Sequence, residues 1–370
     1  MVPAYNEDIQ GFMSNLEKVK CLNPNQIELI VVLNHSIKEE EEIRKKHQSQ
    51  FQNFKNLILN SGISVHFIAA FDLKAKHAGV GLARKIGMDE AVKRFQEINY
   101  PGLIVCLDAD CDIAPNYFDS VLNAESQGFN GLSLYYEHPF SELDSKHLTS
   151  IVNYEIFLRY YSLALKSTGY PHYYQTVGSS MACRSDLYCK IGGMNRRKAG
   201  EDFYFLHKVF PHGNFKEWTE TTVYPSARKS TRVPFGTGKA MIAEEEGNKD
   251  YSLLFNPMIF KKLSTFLSNL STVFKDANSI EGSLIGNFLK DENLDKDLHD
   301  LITRSASEMA FITNFYFWFD GFKVMKYLHY CQTNHHPDLK NIEACKELFG
   351  TNSLDNNSLL MELRSMEKQG

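Results

Sequence analysis

The sequence holds no pair of cysteines at metal-ligand or redox spacing, no polybasic tract, and no uninterrupted apolar run long enough to cross a bilayer. Its seven cysteines, at 21, 106, 111, 183, 189, 331 and 345, form no CxxC pair. An odd, scattered set excludes both a complete disulfide framework and a zinc-ribbon type of site. The most apolar late stretch, Met309 to Tyr330, is interrupted by Asp320, Lys323 and Lys326, so it reads as packed helix rather than as a membrane span. No secretory signal opens the sequence, and Cys106 lies inside an apolar run where a reduced, buried thiol is expected. A cytoplasmic setting follows, with peripheral contact at the inner face of a membrane left open. Forty basic residues against 45 acidic ones give a net charge of −5, which argues against nucleic acid as a partner.

What is there is ordinary globular material. At 370 residues, 43% hydrophobic and 23% charged, the chain can build one large domain or two smaller ones around a sizeable core. One stretch carries most of the chemical information: Leu103-Ile104-Val105-Cys106-Leu107-Asp108-Ala109-Asp110-Cys111-Asp112. Five apolar residues read as a short buried strand, and carboxylates follow at its C-terminal end, where open α/β sheets bind ligands. Acids at alternate positions repel one another unless a cation lies between them, and a hard divalent ion such as Mn²⁺ or Mg²⁺ suits oxygen ligands. A strand ending in Asp can equally start a turn or cap a helix. An EF-hand is a poor match, because Ile113 stands where that loop needs glycine.

In chain order, Pro3-Ala4-Tyr5-Asn6-Glu7 precedes a helical pattern that runs to about Lys20, with only Met1 and Val2 ahead of it for a first strand. Gln26 to Leu33 reads as a strand ending in Asn34-His35-Ser36, and an exposed, charged helix begins within Glu39 to Lys46. Val65 to Phe71 is a third strand, and Gly79-Val80-Gly81 opens a helix through Glu97. Gly131 to Tyr136 is a further strand, and Asp144 to Lys166 an aromatic-rich helix. Alternating strands and helices over the first ~135 residues imply a doubly wound, mostly parallel sheet. Beyond about Met258 the pattern is helical.

Four segments, in order, carry a resemblance: Pro3-Ala4-Tyr5-Asn6-Glu7, the Gly79-Val80-Gly81 turn with Arg84, Asp108-Ala109-Asp110, and Gly200-Glu201-Asp202. Together they resemble the family 2 glycosyltransferases, inverting, nucleotide-sugar-dependent enzymes of the GT-A fold. The resemblance covers roughly residues 1–240 and implies a Rossmann-like sheet flanked by helices, with a mainly helical C-terminal region at 241–370. Within it, 1–135 would form the nucleotide-sugar and metal half, and 136–240 the acceptor and base half.

The resemblance also implies roles. Asp108 and Asp110 match the DxD motif that holds a divalent metal, Mn²⁺ or Mg²⁺, with Asp108 also touching the donor. Asp112 is an extra acid, read as a support or a helix cap. Asp202 is the expected base that deprotonates the acceptor hydroxyl, with Glu201 as the alternative. Ala4, Tyr5, Glu7 and Asn34 fall where the family contacts its nucleotide, although many members carry an acid where this chain has Asn34. Gly79 and Arg84 are read as phosphate contacts, Arg84 through a bidentate guanidinium. Arg228, Ser230, Arg232 and Gly236-Thr237-Gly238 read as an anion-binding loop. His207 and His212 are weighed as a further metal ligand against ordinary surface or core histidines. His335-His336 is set aside. Tyr170, His172, Tyr173 and Tyr174 are weighed as an acceptor-sugar platform against core packing. The implied activity is hexosyltransferase-like, from a nucleoside-diphosphate sugar to a hydroxyl acceptor such as a glycan or lipid-linked glycan. A non-catalytic nucleotide-sugar or glycan-binding protein with a degenerate site is the alternative.

Overall fold

Leu29-Ile30-Val31-Val32-Leu33 is all buried, and a run of apolar residues hidden on both faces is what a central parallel strand requires. The computed structural model describes residues 1–55, 57–141, 143–230 and 236–369. There the run lies in β2 (Glu28–Ser36), between β1 (Val2–Ala4) and β3 (Ser64–Leu73), both parallel to it. A five-stranded sheet follows in the order β4-β7-β6-β8-β5, with β4 (Leu103–Val105), β5 (Asp112–Ile113), β6 (Gly131–Tyr136), β7 (Met181–Arg184) and β8 (Phe215–Tyr224). Its β6 and β8 run parallel, and the other pairs are antiparallel.

Met1 joins the two sheets. Its N bonds Val105 O at 2.7 Å, and Leu107 N bonds Met1 O at 3.0 Å, the bonding pattern of a parallel bridge. The order is therefore 3-2-1 and then 4, and the chain's progression across the sheet reverses between β1 and β4. Such a reversal opens a crevice at the carboxyl ends of the two strands. The expected five-residue strand is regular over only three, because its end forks: Cys106 N bonds Met181 O at 2.9 Å, while Leu107 N turns to Met1. Asp108 leaves the sheet at that fork.

The α/β class expected from the sequence is the one the chain adopts, a Rossmann-like sheet flanked by helices and followed by a mainly helical region. Three strands of the five-stranded sheet were not anticipated: β5, β8, and β7, which follows the Gly178-Ser179-Ser180 turn. The chain groups into two compact units, residues 1–143 with 176–242, and residues 144–175 with 243–370. The first holds both sheets and helices Ile9–Leu16, Glu41–Phe54, Val80–Glu97, Tyr117–Ser126, Ser185–Lys190 and Glu201–Val209. The second is helical apart from one short antiparallel pair, Leu253–Leu254 with Leu339–Lys340. In it the 309–330 stretch forms helices Glu308–Trp318 and Gly321–Asn334, the latter capped by the Asp320 carboxylate, which accepts from Lys323 N at 3.0 Å. Among the described residues, no helix is long and apolar enough to cross a membrane.

Candidate active site

Arg84 stands on the first turns of helix Val80–Glu97 and is only 3% exposed. A buried guanidinium needs acids around it, and this one has them. Its Nη2 donates to Asp108 Oδ1 at 2.6 Å, and its Nη1 donates to Glu201 Oε1. The second acid segment is thus joined to the first by one side chain, although Glu201 lies 117 residues from Arg84 in sequence. The terminal nitrogens of Arg84, read from the sequence as phosphate contacts, are paired here with carboxylates, and its surface is covered. Part of the cover is Gly178, where a Cβ would collide with the guanidinium.

Glu201 and Asp202 open helix Glu201–Val209 behind Gly200, whose φ of +66° suits glycine. Acids at a helix N-terminus are favourable in themselves, and Asp202 Oδ1 does accept from Phe203 N at 2.8 Å. Electrostatics add a second character. Burial pushes the Glu201 carboxyl upward, Arg84 opposes the rise, and Asp202 reinforces it. Asp202 is raised as well, by burial first, against Arg84 and its backbone bonds. Asp108, Glu201 and Asp202 share one cation, so burial and mutual repulsion outweigh the single positive charge. On Arg84 the same acids overcome the effect of burial and raise its pKa.

The second cluster centres on Arg228. Its Nη2 lies 2.7 Å from Glu7 Oε1 and 2.8 Å from Asp110 Oδ2, tying the end of the β1 segment to the acidic turn. Glu7 is buried, and its main-chain O accepts from Gln50 Nε2 at 3.1 Å. Downstream of Arg228, Ser230 N donates to Gly238 O at 3.3 Å. Arg232 lies outside the described residues.

Other expectations fall as follows. Ala4 is buried in β1 opposite Leu33, and Asn34 is buried in β2 opposite Ala70. Tyr5 is half-buried, its ring edge-on to His47 at 6.0 Å. The close approach that Gly79 and Gly81 allow is by the chain's own backbone: Lys198 packs on Gly79, and a Cβ on Gly81 would collide with Arg197 O. Asp112, read as a support or a helix cap, lies in a strand. It opens β5 opposite Tyr224, and its carboxylate accepts from Asn15 Nδ2 at 2.8 Å. His207 packs against Phe203 and Phe210 at 4.3 and 5.1 Å, and the His212 main-chain O accepts from Asn130 Nδ2 at 3.3 Å. Tyr170 and His172 are buried in the second unit, each edge-on to Tyr316.

Asp108 and Asp110 fit a hard divalent cation by donor chemistry, being carboxylates two residues apart on one turn and both partly exposed. Among the described residues no group of three or more His, Cys, Asp or Glu side chains is assembled for a metal. Mg²⁺-type sites use one or two carboxylates and take their remaining oxygens from substrate phosphate and water, and this pair meets that requirement.

The sequence matches no protein-family model and no curated protein. Among solved structures, S. aureus TarS 1-349 aligns at a TM-score of 0.41 and 13% identity, over 85% of this chain and 87% of that one. The mannosyltransferase PcManGT from Pyrobaculum calidifontis, in complex with GDP-Man and Mn²⁺, aligns at 0.38 and 12%, over 84% of each chain. GalNAc-T7 with UDP, GalNAc and Mn²⁺ aligns at 0.40 and 14%, over 79% of this chain, which spans about half (53%) of that one.

Proposed function

We propose that the chain is an inverting glycosyltransferase of the GT-A type, which moves a sugar from a nucleoside diphosphate to a hydroxyl acceptor. The observation that carries this reading is the Arg84 bridge. It brings the Asp108-Ala109-Asp110 turn and the Glu201-Asp202 pair together beside the β1/β4 crevice. A metal-binding turn and a raised carboxylate at one place are what sugar transfer to a hydroxyl needs.

Charge supports the same reading. Glu7, Asp108, Asp110, Glu201 and Asp202 gather around two guanidiniums, Arg84 and Arg228. A diphosphate would enter an already acid-rich site, so a further cation is needed to hold it. Asp108 and Asp110 would hold Mn²⁺ or Mg²⁺, and such a cation supplies Lewis-acid stabilisation of the departing diphosphate. Arg228 would exchange one of its carboxylate partners for phosphate when the donor binds.

Asp202 would act as the base. Its carboxylate takes the acceptor's O–H proton as that oxygen forms a bond to the anomeric carbon. The bond from that carbon to the diphosphate oxygen breaks, and its electron pair leaves with the nucleotide. A single displacement of this kind inverts the anomeric centre. A raised pKa suits the task, since a base is most effective when its pKa lies near the working pH. Arg84 positions Asp108 and Glu201 and touches no substrate.

The test is release of UDP or GDP from a panel of nucleotide sugars with Mn²⁺ and hydroxyl acceptors, followed by the anomeric configuration of the product. Release that depends on Mn²⁺, is lost in Asp202→Asn, and gives inverted product supports the proposal. Nucleotide binding without release across the panel would support the non-catalytic alternative.

A further inference from the structure

Helix Glu41–Phe54 is charged and largely exposed, yet one of its residues is completely buried, and it is a histidine. His47 is 0% exposed, and His35 beside it, from β2, is 2% exposed. The Nε2 of His47 lies 3.0 Å from Asn6 N. A backbone N–H can only donate, so this nitrogen carries no proton, and in a neutral ring the proton is on Nδ1. The His47 Nδ1 is 3.0 Å from His35 Nδ1, which must accept. The His35 proton is then on Nε2, facing Asp72 Oδ1 at 3.7 Å. Arg44 Nη2 holds that carboxylate at 2.7 Å. The chain of donors runs one way, from the Asn6 amide to Asp72.

Burial is the main force keeping both rings neutral, as this proton order requires. It pushes His47 down to about 4, with His35 and Lys46 adding to the shift and Glu39 opposing it. It lowers His35 as well, against Asp72 and Glu39 and with Arg44. The turn held this way is otherwise unfavourable, because Asn6 sits at φ +55° in the left-handed region. Lys46 Nζ adds bonds to Asn6 Oδ1 at 2.8 Å and Asn6 O at 3.3 Å. Tyr5 rests edge-on against the His47 ring, and Phe71 stacks on His35 at 4.6 Å.

We infer that His47, oriented by His35 and Asp72, is a positioning residue that fixes Tyr5 and Glu7 for the nucleotide of the donor. The role rests on the donor-site reading given above. Histidine at 47 supplies what no hydrophobic residue could: an acceptor for a buried amide on one side and a donor on the other.

The test uses the full chain, with UDP and GDP, each with Mn²⁺, as calorimetric probes, and ¹⁵N NMR of the histidine rings. His47→Phe keeps a ring in place but removes the acceptor, whereas His47→Gln offers an amide oxygen to Asn6 and an amide N–H to His35. At neutral pH the wild-type protein should show His47 protonated on Nδ1 and His35 on Nε2. His47→Phe should weaken the nucleotide that binds by about tenfold or more, and His47→Gln should recover most of the loss. Asp72→Ala, at an exposed residue, should mix the His35 tautomers and weaken binding several-fold, which keeps the test alive if His47→Phe does not fold. Wild-type affinity in His47→Phe or in Asp72→Ala, or the opposite tautomers, overturns the positioning role and leaves the donor site standing. A wild-type protein with the expected tautomers that binds neither nucleotide overturns the donor-site reading, and the role given to His47 with it.

Discussion

Arg84 and Asp202 make opposite demands on stability. Replacing Arg84 with methionine leaves Asp108 and Glu201 without their common cation, and breaking a buried ion pair from one side costs about 3–5 kcal/mol. Chemical denaturation of Arg84→Met should show a loss of that size. Asp202→Asn should do the reverse. Its pKa is raised in the folded state, so its ionised form opposes folding at neutral pH and the opposition fades as pH falls. The melting temperature of Asp202→Asn should therefore rise, while transfer falls by about 10²–10⁴-fold and nucleotide binding stays. In the wild type, the proposed base Asp202 must be ionised, so the acid limb of the rate profile should lie above the ordinary aspartate value of 3.8. At this scale the acids that gather around Arg84 and Arg228 were legible, since Asp108, Asp110, Glu201 and Asp202 stand in recognisable segments. The sequence was uninformative about Arg84. Nothing in the spacing of a GxGxAR turn says whether the arginine faces solvent or lies under Gly178. His47 was hidden as well, because a single histidine within a charged helix carries no periodic signal.

At the scale of elements, the acidic turn leaves the sheet because β4 forks. Cys106 follows β7 and Leu107 follows β1, and Asp108 emerges where the two strands part. The apolar run Leu103–Leu107 made a strand there legible, but the fork depends on pairings with Met1 and Met181, distant in sequence. Strand β8 illustrates a different loss. Phe215–Tyr224 alternates buried and exposed positions imperfectly, and the charged residues Lys216, Glu217 and Glu220 disguise it. In the second unit, helices Ser145–Ser167 and Asn356–Gln369 are joined by a buried charge network. Glu155 accepts from Arg159 Nε at 2.9 Å and from Arg364 Nε at 2.8 Å, and Arg159 donates to Glu367. Glu155→Ala leaves two buried guanidiniums short of a partner. It should destabilise the second unit by about 3–5 kcal/mol, seen as an earlier thermal transition. Loss of stability below 1 kcal/mol (a rough limit for exposed pairs) would show that the network contributes little.

For the whole molecule, a net charge of −5 and an acid-rich site make diphosphate binding a question of which cations are present. The change from alternating strands and helices before ~135 to a helical pattern after Met258 was legible in the periodicity. That Asp144–Gln175 groups with the C-terminal residues was not, because helix Ser145–Ser167 is apolar on more than one side and its period names no partner. Asp108 and Asp110 are proposed to form a metal-dependent nucleotide site. Its most direct test is thermal stabilisation of the wild type and of Asp110→Ala by UDP and GDP, with Mn²⁺ and with chelator. A ligand at 100 times its dissociation constant stabilises by about 2.7 kcal/mol. A clear upward shift is expected for one nucleotide with Mn²⁺, absent with chelator and absent in Asp110→Ala. No shift in the wild type, or one of equal size in Asp110→Ala, would contradict it.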